Sequence, residues 1–440
     1  MGCGEAHARF VRRDITKVAP VKVWEAAEVG VATPLYDPSS KALDHYYSSL
    51  RRSAEGTKST RIMFFGASHT ASDCYTRPIR HRLQLMFGDA GPGFAVPASP
   101  WRDYNHRDLN ISYSKDWTSH WVRRGHRRED GLYGMAGVTF SSSNPESFAR
   151  LETAKKSRFG KMAGRFEIFY WAHPQGGDLQ VYLDDLLREE FSTSAKEAGP
   201  GFRTYTVPDG PHAIEVRPKG TGEVILFGIA TDRDKPGVVM DNLGINGARA
   251  RDLLEWNKDL FVAHIQRRRP DLMVLAYGTN ESGDDLVPME AYKDKLVKTM
   301  DRFRLAAPQS SCLLIGPSDY PVKVDRYGPR VKKRVSRKER KRYNRFWRRR
   351  QKLQVIERAP RARQDEIIAV QKEVAVKFGC AFWDWRAAQG GALSMLTWRR
   401  SRPLLAQKDY LHFTRAGYEK ISLLLWDALM GGYVGPVRKE

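Results

Sequence analysis

The chain has 440 residues, of which 41% are hydrophobic and 28% charged, and its formal net charge is +23. This composition is typical of a folded globular protein with two or three domains and excludes a disordered chain. No apolar run approaches the roughly 18–20 residues that cross a bilayer, so no transmembrane segment is predicted. The start, MGCGEAHARFVRRD, lacks the apolar core of a secretory signal, so the sequence as given predicts no export signal.

Residues 1–60 are predicted to form an irregular N-terminal segment with one amphipathic helix, SKALDHYYSSLRRSAEG. From Arg61 onward, short apolar runs alternate with helical patterns. Strands are predicted at RIMFF, GVVMDNL, DLMVLAY, CLLIGP and CAFWDW. Helices are predicted at Thr76 to Phe87, ARARDLLEWNKDLFVAHIQRR, MEAYKDKLVKTMDRFRLAA, RQDEIIAVQKEVAVKFG and RAGYEKISLLLWDALM. This alternation predicts an α/β fold, a three-layer doubly wound parallel sheet split over residues 61–91 and 237–432.

The segment between these two parts, residues 92–236, has a different texture. It contains short alternating runs such as RFEIFYWAH, LQVYLDD, HAIEV and EVILFGIA, separated by turn residues. Evenly spaced short strands of this kind predict a β-sandwich or jelly roll inserted between the first and second strands of the α/β unit. Its many aromatic residues suit either a glycan-binding platform or a sandwich core: Trp101, Tyr104, Trp117, Trp121 and Tyr133.

A strongly basic run extends from Lys323 to Lys352 and holds 16 Lys or Arg residues against two acids. It is predicted to be an insertion of about 30 residues between the fourth strand and the next helix. A solvated insertion and a binding site for an anionic polymer are both open. Nucleic acid is the least favoured partner, although Tyr and Trp residues interleave the basic ones.

The four cysteines, Cys3, Cys74, Cys312 and Cys380, show no CxxC or CxxH spacing. No structural zinc site is therefore predicted, and four cysteines allow three pairings between which the sequence does not choose. Cys312 and Cys380 lie in strand-like runs, and we expect them to be buried free thiols.

Four motifs at predicted strand or helix ends carry the residues that acyl transfer needs, namely a nucleophile, a base, a group orienting the base, and oxyanion donors. Ser68 in GASHT can supply the hydroxyl, and His412 in DYLH the base. Asp409, three residues before His412, can orient the imidazole. Gly247 in GINGA can offer a backbone N–H, and Asn280 in YGTNE a side-chain N–H.

These four motifs, in this order, resemble the SGNH (GDSL-type) hydrolase superfamily. The resemblance implies that Ser68 is the nucleophile and Asp409 and His412 complete the triad. The oxyanion hole is then formed by the N–H groups of Ser68 and Gly247 and the amide of Asn280. No metal or organic cofactor is implied. Ala67 departs from the family, which has the Asp of GDS there.

Within that superfamily, the large insertion and the phrases DNLGINGARA, GCAFWDW and LAQKDYLHFTRAGY resemble the peptidoglycan O-acetylesterase and O-acetyltransferase branch. The branch implies an SGNH hydrolase fold with an inserted, carbohydrate-binding-like β-sandwich. It also implies a periplasmic or envelope location, with which the missing export signal conflicts. A cytoplasmic protein therefore stays an alternative.

The expected activity is a serine esterase that removes O-acetyl groups from an O-acetylated envelope polysaccharide, with peptidoglycan as the first choice. Two alternatives stay open: an O-acetyltransferase with the same triad, and an inactive glycan- or polyanion-binding envelope protein. Two further residues are predicted to contact substrate, Trp398 by stacking on a sugar ring and Glu281 by lining the pocket.

Overall fold

The computed structural model describes residues 24–102, 104–122, 125–323, 336–338, 341–342, 344–345 and 358–438. Residues 1–23 of the N-terminal segment and most of the basic run lie outside these residues. In chain order, the strands are β1 (Trp24–Glu25), β2 (Thr60–Gly66), β3 (Gly93–Ala95), β4 (Leu109–Tyr113), β5 (Thr118–Trp121), β6 (Val138–Ser142), β7 (Ala149–Thr153), β8 (Ala163–Ala172), β9 (Asp178–Leu183), β10 (Leu186–Ser192), β11 (Gly199–Gly210), β12 (Ala213–Pro218), β13 (Val224–Asp232), β14 (Val238–Gly244), β15 (Leu272–Ala276), β16 (Ser311–Ile315), β17 (Val322–Lys323), β18 (Arg358–Ala359), β19 (Ala381–Trp383) and β20 (Ser401–Arg402).

The α-helices are α1 (Asp44–Ala54), α2 (Ser68–Ala71), α3 (Thr76–Phe87), α4 (Lys258–Arg268), α5 (Met289–Ala306), α6 (Arg363–Lys377), α7 (Trp385–Gln389), α8 (Ser394–Arg399) and α9 (Arg415–Met430). Short 3-10 helices cover Ala26–Glu28, Ala250–Glu255 and Glu281–Gly283. Among the described helices, none is long and apolar enough to cross a membrane.

A five-stranded sheet in the order β14-β2-β15-β16-β19 forms the centre of the molecule, and every neighbouring pair in it is parallel. These are the five strands that the apolar runs predict. Side chains along β2 alternate between the two faces: Ile62 and Phe64 join one hydrophobic cluster with α1, α3 and α9, and Met63 and Phe65 join another with α4, α5 and α6. Burial on both faces explains why these strands have continuous apolar runs.

The strand order of this sheet has a switch point at β2: β14 lies on one side of β2, and β15, the next strand in the sequence, lies on the other. In open α/β sheets, such a switch point leaves a crevice outside the carboxyl ends of the strands, where ligands bind. The segments after β2, β14, β15 and β16 therefore meet at one edge, and three of the four predicted motifs lie in these segments.

Between β2 and β14 the chain forms two antiparallel sheets, ordered β10-β9-β12-β7-β4 and β11-β8-β13-β6-β5, with β3 paired to β13. Residues of both sheets belong to the same hydrophobic cluster as the α4, α5 and α6 face of the central sheet, including Leu151, Val216, Phe169 and Ile229. The antiparallel sheets therefore share a core with the central parallel sheet.

One predicted helix is divided in the structure. The stretch ARARDLLEWNKDLFVAHIQRR forms the 3-10 helix Ala250–Glu255 and then α4, with a break at Trp256 and Asn257. The Asn257 side chain accepts a hydrogen bond from the Leu260 N–H at 2.9 Å and so caps α4. Asn is a preferred N-cap residue, which is why a new helix begins there.

The expectation of free thiols at Cys312 and Cys380 is wrong, because these two residues form a disulfide with a Cα–Cα distance of 4.8 Å. The register pairs Leu313 of β16 with Ala381 of β19, which places the two preceding cysteines opposite each other. Their Cα separation is within the range that a disulfide requires. Among the residues that the structure describes, Cys74 is a free cysteine.

Two buried arginines connect the antiparallel sheets to the parallel-sheet core. Arg80 of α3 is fully buried and donates to Asp73 at 2.8 Å and to Asp108, just before β4, at 2.5 Å. Arg268 at the end of α4 donates to Asp241 of β14 at 2.6 Å and to Asp232 of β13 at 2.7 Å. Each guanidinium thus lies between one carboxylate of the core and one of the intervening sheets.

These ion pairs change the ionisation of their carboxyls. Burial alone would raise the pKa of Asp73 and of Asp108. At Asp73 the charge and hydrogen bonds of Arg80 outweigh it, and at Asp108 the charge of Arg80 and the hydrogen bond from His81 outweigh it, so both pKa values lie below the usual range. A depressed pKa contributes stability above the unfolded pKa of about 4, and that stability is lost as the pH falls through the folded pKa.

We therefore predict that Arg80→Met lowers the free energy of unfolding by about 3–5 kcal/mol at pH 7, because Asp73 stays buried without its ion-pair partner and Asp108 keeps only Arg77 and His81 as ion-pair partners. The loss should be smaller near pH 4, where the variant's carboxyls are protonated. Urea unfolding at both pH values measures it. Arg415→Met, which removes an exposed arginine paired with Glu419, should change the free energy by no more than about 0.5 kcal/mol. An equal loss for Arg80→Met at both pH values would contradict the assignment.

Candidate active site

Ser68 follows the central strand β2 and is the first residue of the short helix α2. The chain turns at Ala67, and α2 is closed by the Ala71 N–H donating to the Ala67 carbonyl at 2.9 Å. The Ser68 side chain is half-buried, and its Oγ lies 2.9 Å from Nε2 of His412. A hydroxyl at a strand end, beside an imidazole nitrogen, has the geometry of a nucleophile with its base.

His412 and Asp409 lie in the loop before α9. His412 Nδ1 is 2.7 Å from Asp409 Oδ2, while Asp409 Oδ1 accepts the backbone N–H groups of Leu411 and His412, both at 3.0 Å. Tyr410 adopts a left-handed conformation, with φ of 59°, and so folds the loop back on itself. The carboxylate is thus held in one orientation towards the imidazole.

Partial burial of the Asp409 carboxyl, whose side chain is 46% exposed, disfavours its charged form, but the hydrogen bonds from His412 and from the backbone outweigh this cost. The pKa of Asp409 is therefore below its usual value. An ionised carboxylate on Nδ1 fixes the imidazole tautomer with its lone pair on Nε2, facing the Ser68 hydroxyl. The three side chains form a continuous hydrogen-bonded chain from carboxylate to hydroxyl.

Gly247 and Asn280 come from the two strands that flank β2 in the sheet. Gly247 lies in the turn after β14 with φ of 75°, a conformation that favours glycine. The Asn280 side chain donates to the Ala248 carbonyl at 2.9 Å, which ties this turn to the segment after β15. Among the backbone hydrogen bonds of loops and turns in the described residues, none is donated by the N–H of Ser68 or Gly247.

A small cleft opens beside Ser68 at the carboxyl edge of the sheet. Its lining comes from the segments after β2, β15, β16 and β19 and from the His412 loop: Ala67, Ser68, His69, Ala276, Tyr277, Gly278, Thr279, Asn280, Gly316, Trp385 and Leu411. The predicted nucleophile and Asn280 therefore face the same space. In the described residues, no group of three or more His, Cys, Asp or Glu side chains is arranged to hold a metal ion.

The prediction that Glu281 contacts substrate is wrong in this structure. Its side chain is buried, and its two carboxylate oxygens accept the backbone N–H groups of Ala250 and Gly278, both at 2.9 Å. Burial raises the pKa of Glu281. The side chain therefore joins the segment after β14 to the segment that carries Asn280, and it braces the site from behind.

The prediction that Trp398 stacks on a sugar is also wrong. Trp398 has no exposed surface; its ring packs edge-on against Phe413, and its Nε1 donates to the Gln389 carbonyl at 2.8 Å. A tryptophan with its polar atom satisfied inside the core is not accessible to substrate.

His69, next to the nucleophile, points into the protein and connects several parts of the site. One ring nitrogen lies 2.9 Å from the Tyr418 hydroxyl of α9 and the other 3.2 Å from Ser318 Oγ, after β16. Burial, with a smaller contribution from His412, lowers the pKa of His69 to about 3, so the ring is neutral at neutral pH. The spacing of residues in the sequence gave no signal for this contact between distant elements.

Ala67 occupies the position where the resembled family has an aspartate. Its methyl group lines the cleft, and no side chain caps the start of α2. The chain of hydrogen bonds through Ser68, His412 and Asp409 forms without a carboxylate at this position.

Comparisons with known proteins agree with this arrangement. The sequence model of the GDSL-like lipase/acylhydrolase family matches residues 228–420. A search of curated protein sequences found no match. Among solved structures, the chain is similar to one described as "Peptidoglycan O-acetylesterase in action, 5 min", with 22% identity and a TM-score of 0.69 over 90% of this chain and 98% of that chain.

Two other structures are less similar. A salicylyl-acyltransferase from a tetracycline biosynthetic pathway matches with 12% identity and a TM-score of 0.32, over 79% of this chain and 99% of that one. A family two carbohydrate esterase from Clostridium thermocellum matches with 10% identity and a TM-score of 0.26, over 74% of this chain and all of that one. Scores this low carry no argument.

The resemblance to SGNH hydrolases drawn from the four motifs is confirmed by the family match and by the fold. Residues 228–420 thus match the GDSL-like lipase/acylhydrolase family model, and the chain shares its fold with a structure described as a peptidoglycan O-acetylesterase.

Proposed function

We propose that this protein is a serine esterase that removes O-acetyl groups from a bacterial cell-envelope polysaccharide, with peptidoglycan as the substrate to test first. The observation that carries the proposal is the continuous chain from Asp409 through His412 to Ser68, with contacts of 2.7 and 2.9 Å. Ser68, at the hydroxyl end of this series of hydrogen bonds, lines the cleft together with Asn280, whose side-chain amide can donate.

The proposed reaction has two steps. His412 Nε2 takes the Ser68 hydroxyl proton as Oγ attacks the acetyl carbonyl, and the tetrahedral oxyanion is stabilised by N–H donors of Ser68, Gly247 and Asn280. His412 then gives the proton to the departing sugar oxygen, which leaves an acetyl-enzyme. In the second step His412 activates water, which releases acetate and restores the serine.

The choice of an O-acetylated glycan is supported by two observations. One solved structure with this fold is described as a peptidoglycan O-acetylesterase. The cleft beside Ser68 is small and lined largely by small residues, which suits an acetyl group better than a long acyl chain.

The strands between residues 92 and 236 fit the proposal of an inserted β-sandwich of carbohydrate-binding type. Their two antiparallel sheets share one core, in which Trp117 and Tyr133 are buried. Trp101, Tyr104 and Trp121 are only partly buried and contact one another, with centroid distances of 5.9 and 6.1 Å. Partly exposed aromatic rings of this kind can stack on sugar rings.

A location outside the cytoplasm belongs to the same proposal. The disulfide between Cys312 and Cys380 supports it, because disulfides persist in oxidising compartments such as the periplasm and are rare in the cytosol.

The first test is release of acetate from a small acetyl ester and from O-acetylated peptidoglycan. We expect both reactions with the intact protein, and we expect Ser68→Ala to lower kcat by at least about 10⁴-fold while the unfolding midpoint stays unchanged. Ser53→Ala, in α1, removes a buried serine hydroxyl far from His412 in the fold and is a matched control that should keep kcat. Full activity of Ser68→Ala would overturn the assignment.

The same assay, run with glycan oligomers as acceptors, separates hydrolysis from transfer. Free acetate as the main product supports the esterase, and acetylated oligomer as the main product would replace it by the O-acetyltransferase. Binding of glycan without either product would indicate an inactive binding protein.

A second prediction concerns the oxyanion. Asn280→Ala should lower kcat about 10²–10³-fold with little change in KM, because its amide would act only in the transition state. Asn280→Asp, which keeps the size but loses the donor, should lose as much. The exposed Asn110→Ala on β4 is the control. An unchanged kcat for both Asn280 variants would remove this residue from the oxyanion hole.

A third prediction concerns the basic run from Lys323 to Lys352, which we propose binds an anionic envelope polymer. Deleting residues 326–350 should spare activity on a small acetyl ester but weaken salt-dependent binding to a polyuronate. The physical reason is the loss of most of the run's 16 basic residues, whose attraction to a polyanion is screened by salt. Unchanged polymer binding at low salt would contradict the proposal.

A further inference from the structure

Arg358 connects a distant part of the chain to the loop that carries the triad. It lies in β18, which pairs with β17 in a two-stranded antiparallel ribbon through Lys323. Its guanidinium carbon lies 4.0 Å from the centre of the Tyr410 ring. A cation over an aromatic face at this distance is attracted by the ring's charge distribution.

Tyr410 occupies the critical place in that loop, between Asp409 and His412. Its left-handed conformation lets the Asp409 carboxylate accept two backbone N–H groups and the imidazole at once. Left-handed backbone is unfavourable for a residue with a bulky side chain and persists only where its surroundings hold it. The guanidinium on the ring is one such restraint.

The guanidinium itself is fixed. Its Nη1 donates to the Pro321 carbonyl at 3.2 Å, and its Nε is buried with no hydrogen-bond partner among the described residues. Burial lowers the pKa of Arg358, and Asp409 is near enough to oppose that shift. The side chain thus brings a positive charge near enough to the Asp409 carboxylate to interact with it.

We propose that Arg358 is a positioning residue for the triad: by stacking on Tyr410, it holds the Asp409–His412 loop in its working conformation and keeps a positive charge beside it. This inference rests on the proposed function, because its activity readouts need His412 to act as the general base. Arg358 touches neither the cleft nor Ser68, so its effect passes through Tyr410.

The positive charge of Arg358 should affect the protonation of His412 in one direction. The other ionisable groups around the imidazole are Asp409 in its own loop, His69 from α2 with ring centroids 5.3 Å apart, and Tyr418 from α9 behind His69. Burial keeps His69 and Tyr418 neutral, and the exposed Lys408 adjoins Asp409. A nearby cation disfavours the protonated form of an imidazole, so removal of the Arg358 charge should make protonation of His412 easier.

The test compares Arg358→Met, which keeps the length of the side chain but loses charge and stacking, with Arg358→Lys, which keeps the charge alone. We expect Arg358→Met to lower kcat/KM about tenfold. It should also move the acid limb of the kcat/KM profile upward by about 0.5 pH unit. Arg358→Lys should lower kcat/KM with the acid limb near its wild-type place.

Arg361 provides the matched control, since its guanidinium lies 4.8 Å from the centre of the Tyr320 ring, outside the triad loop. Arg361→Met should leave the acid limb in place. Combining Arg358→Met with Tyr410→Leu should cost no more than the worse single change, because both remove one contact. Additive losses, or an unmoved acid limb in Arg358→Met, would overturn the inference.

A readout that needs no activity separates this inference from the esterase proposal. In protein carrying Ser68→Ala, the His412 ring can be titrated by NMR with and without Arg358→Met. A higher His412 pKa in the double variant supports the inference even if acetate is never released. Equal pKa values overturn it even if the esterase is active.

Discussion

The position of Ser68 depends on the Arg80 guanidinium, which is buried between two carboxylates. Asp73 ends the turn that begins at Ser68, and Arg80 joins it to Asp108 of the antiparallel sheets. Arg268 makes the equivalent connection at the chain's return, between Asp232 and Asp241. An ion pair without exposed surface tolerates little displacement, because a separated buried charge has no water to replace its partner. The segment that interrupts the hydrolase chain is therefore held against it at both crossings.

The parallel sheet alone does not orient the loops that carry the site residues. The strand ends bring Ser68 and Asn280 to one edge of the sheet, but the loops after these strands must also be held in fixed conformations. Glu281 supplies one restraint by accepting N–H groups from two loops, and His69 supplies another by contacting α9 and the segment after β16. Neither residue reacts in the proposed mechanism. Both show how polar side chains, buried with their partners, orient the reacting groups.

The sequence was sufficient for the strands of the parallel sheet and for the meeting of Ser68, His412 and Asp409, because continuous apolar runs and strand-end motifs are local signals. It was not sufficient where the outcome depended on tertiary contacts. The bond between Cys312 and Cys380 depends on which strands are neighbours, and the burial of Glu281 and Trp398 depends on loops that close over them. Arg80 reads as a surface residue of a helix because its two carboxylate partners are distant in the chain or hidden in a turn.

The disulfide joins Cys312 and Cys380, which are 68 positions apart in the sequence, and the basic run lies between them. Lysines and arginines are the residues after which trypsin-like proteases cut, so this run is the part of the chain most rich in such sites. A single cut there would divide the polypeptide but not the molecule. The two pieces would remain covalently joined through neighbouring strands of the central sheet, and His412 would stay tethered to the half that carries Ser68.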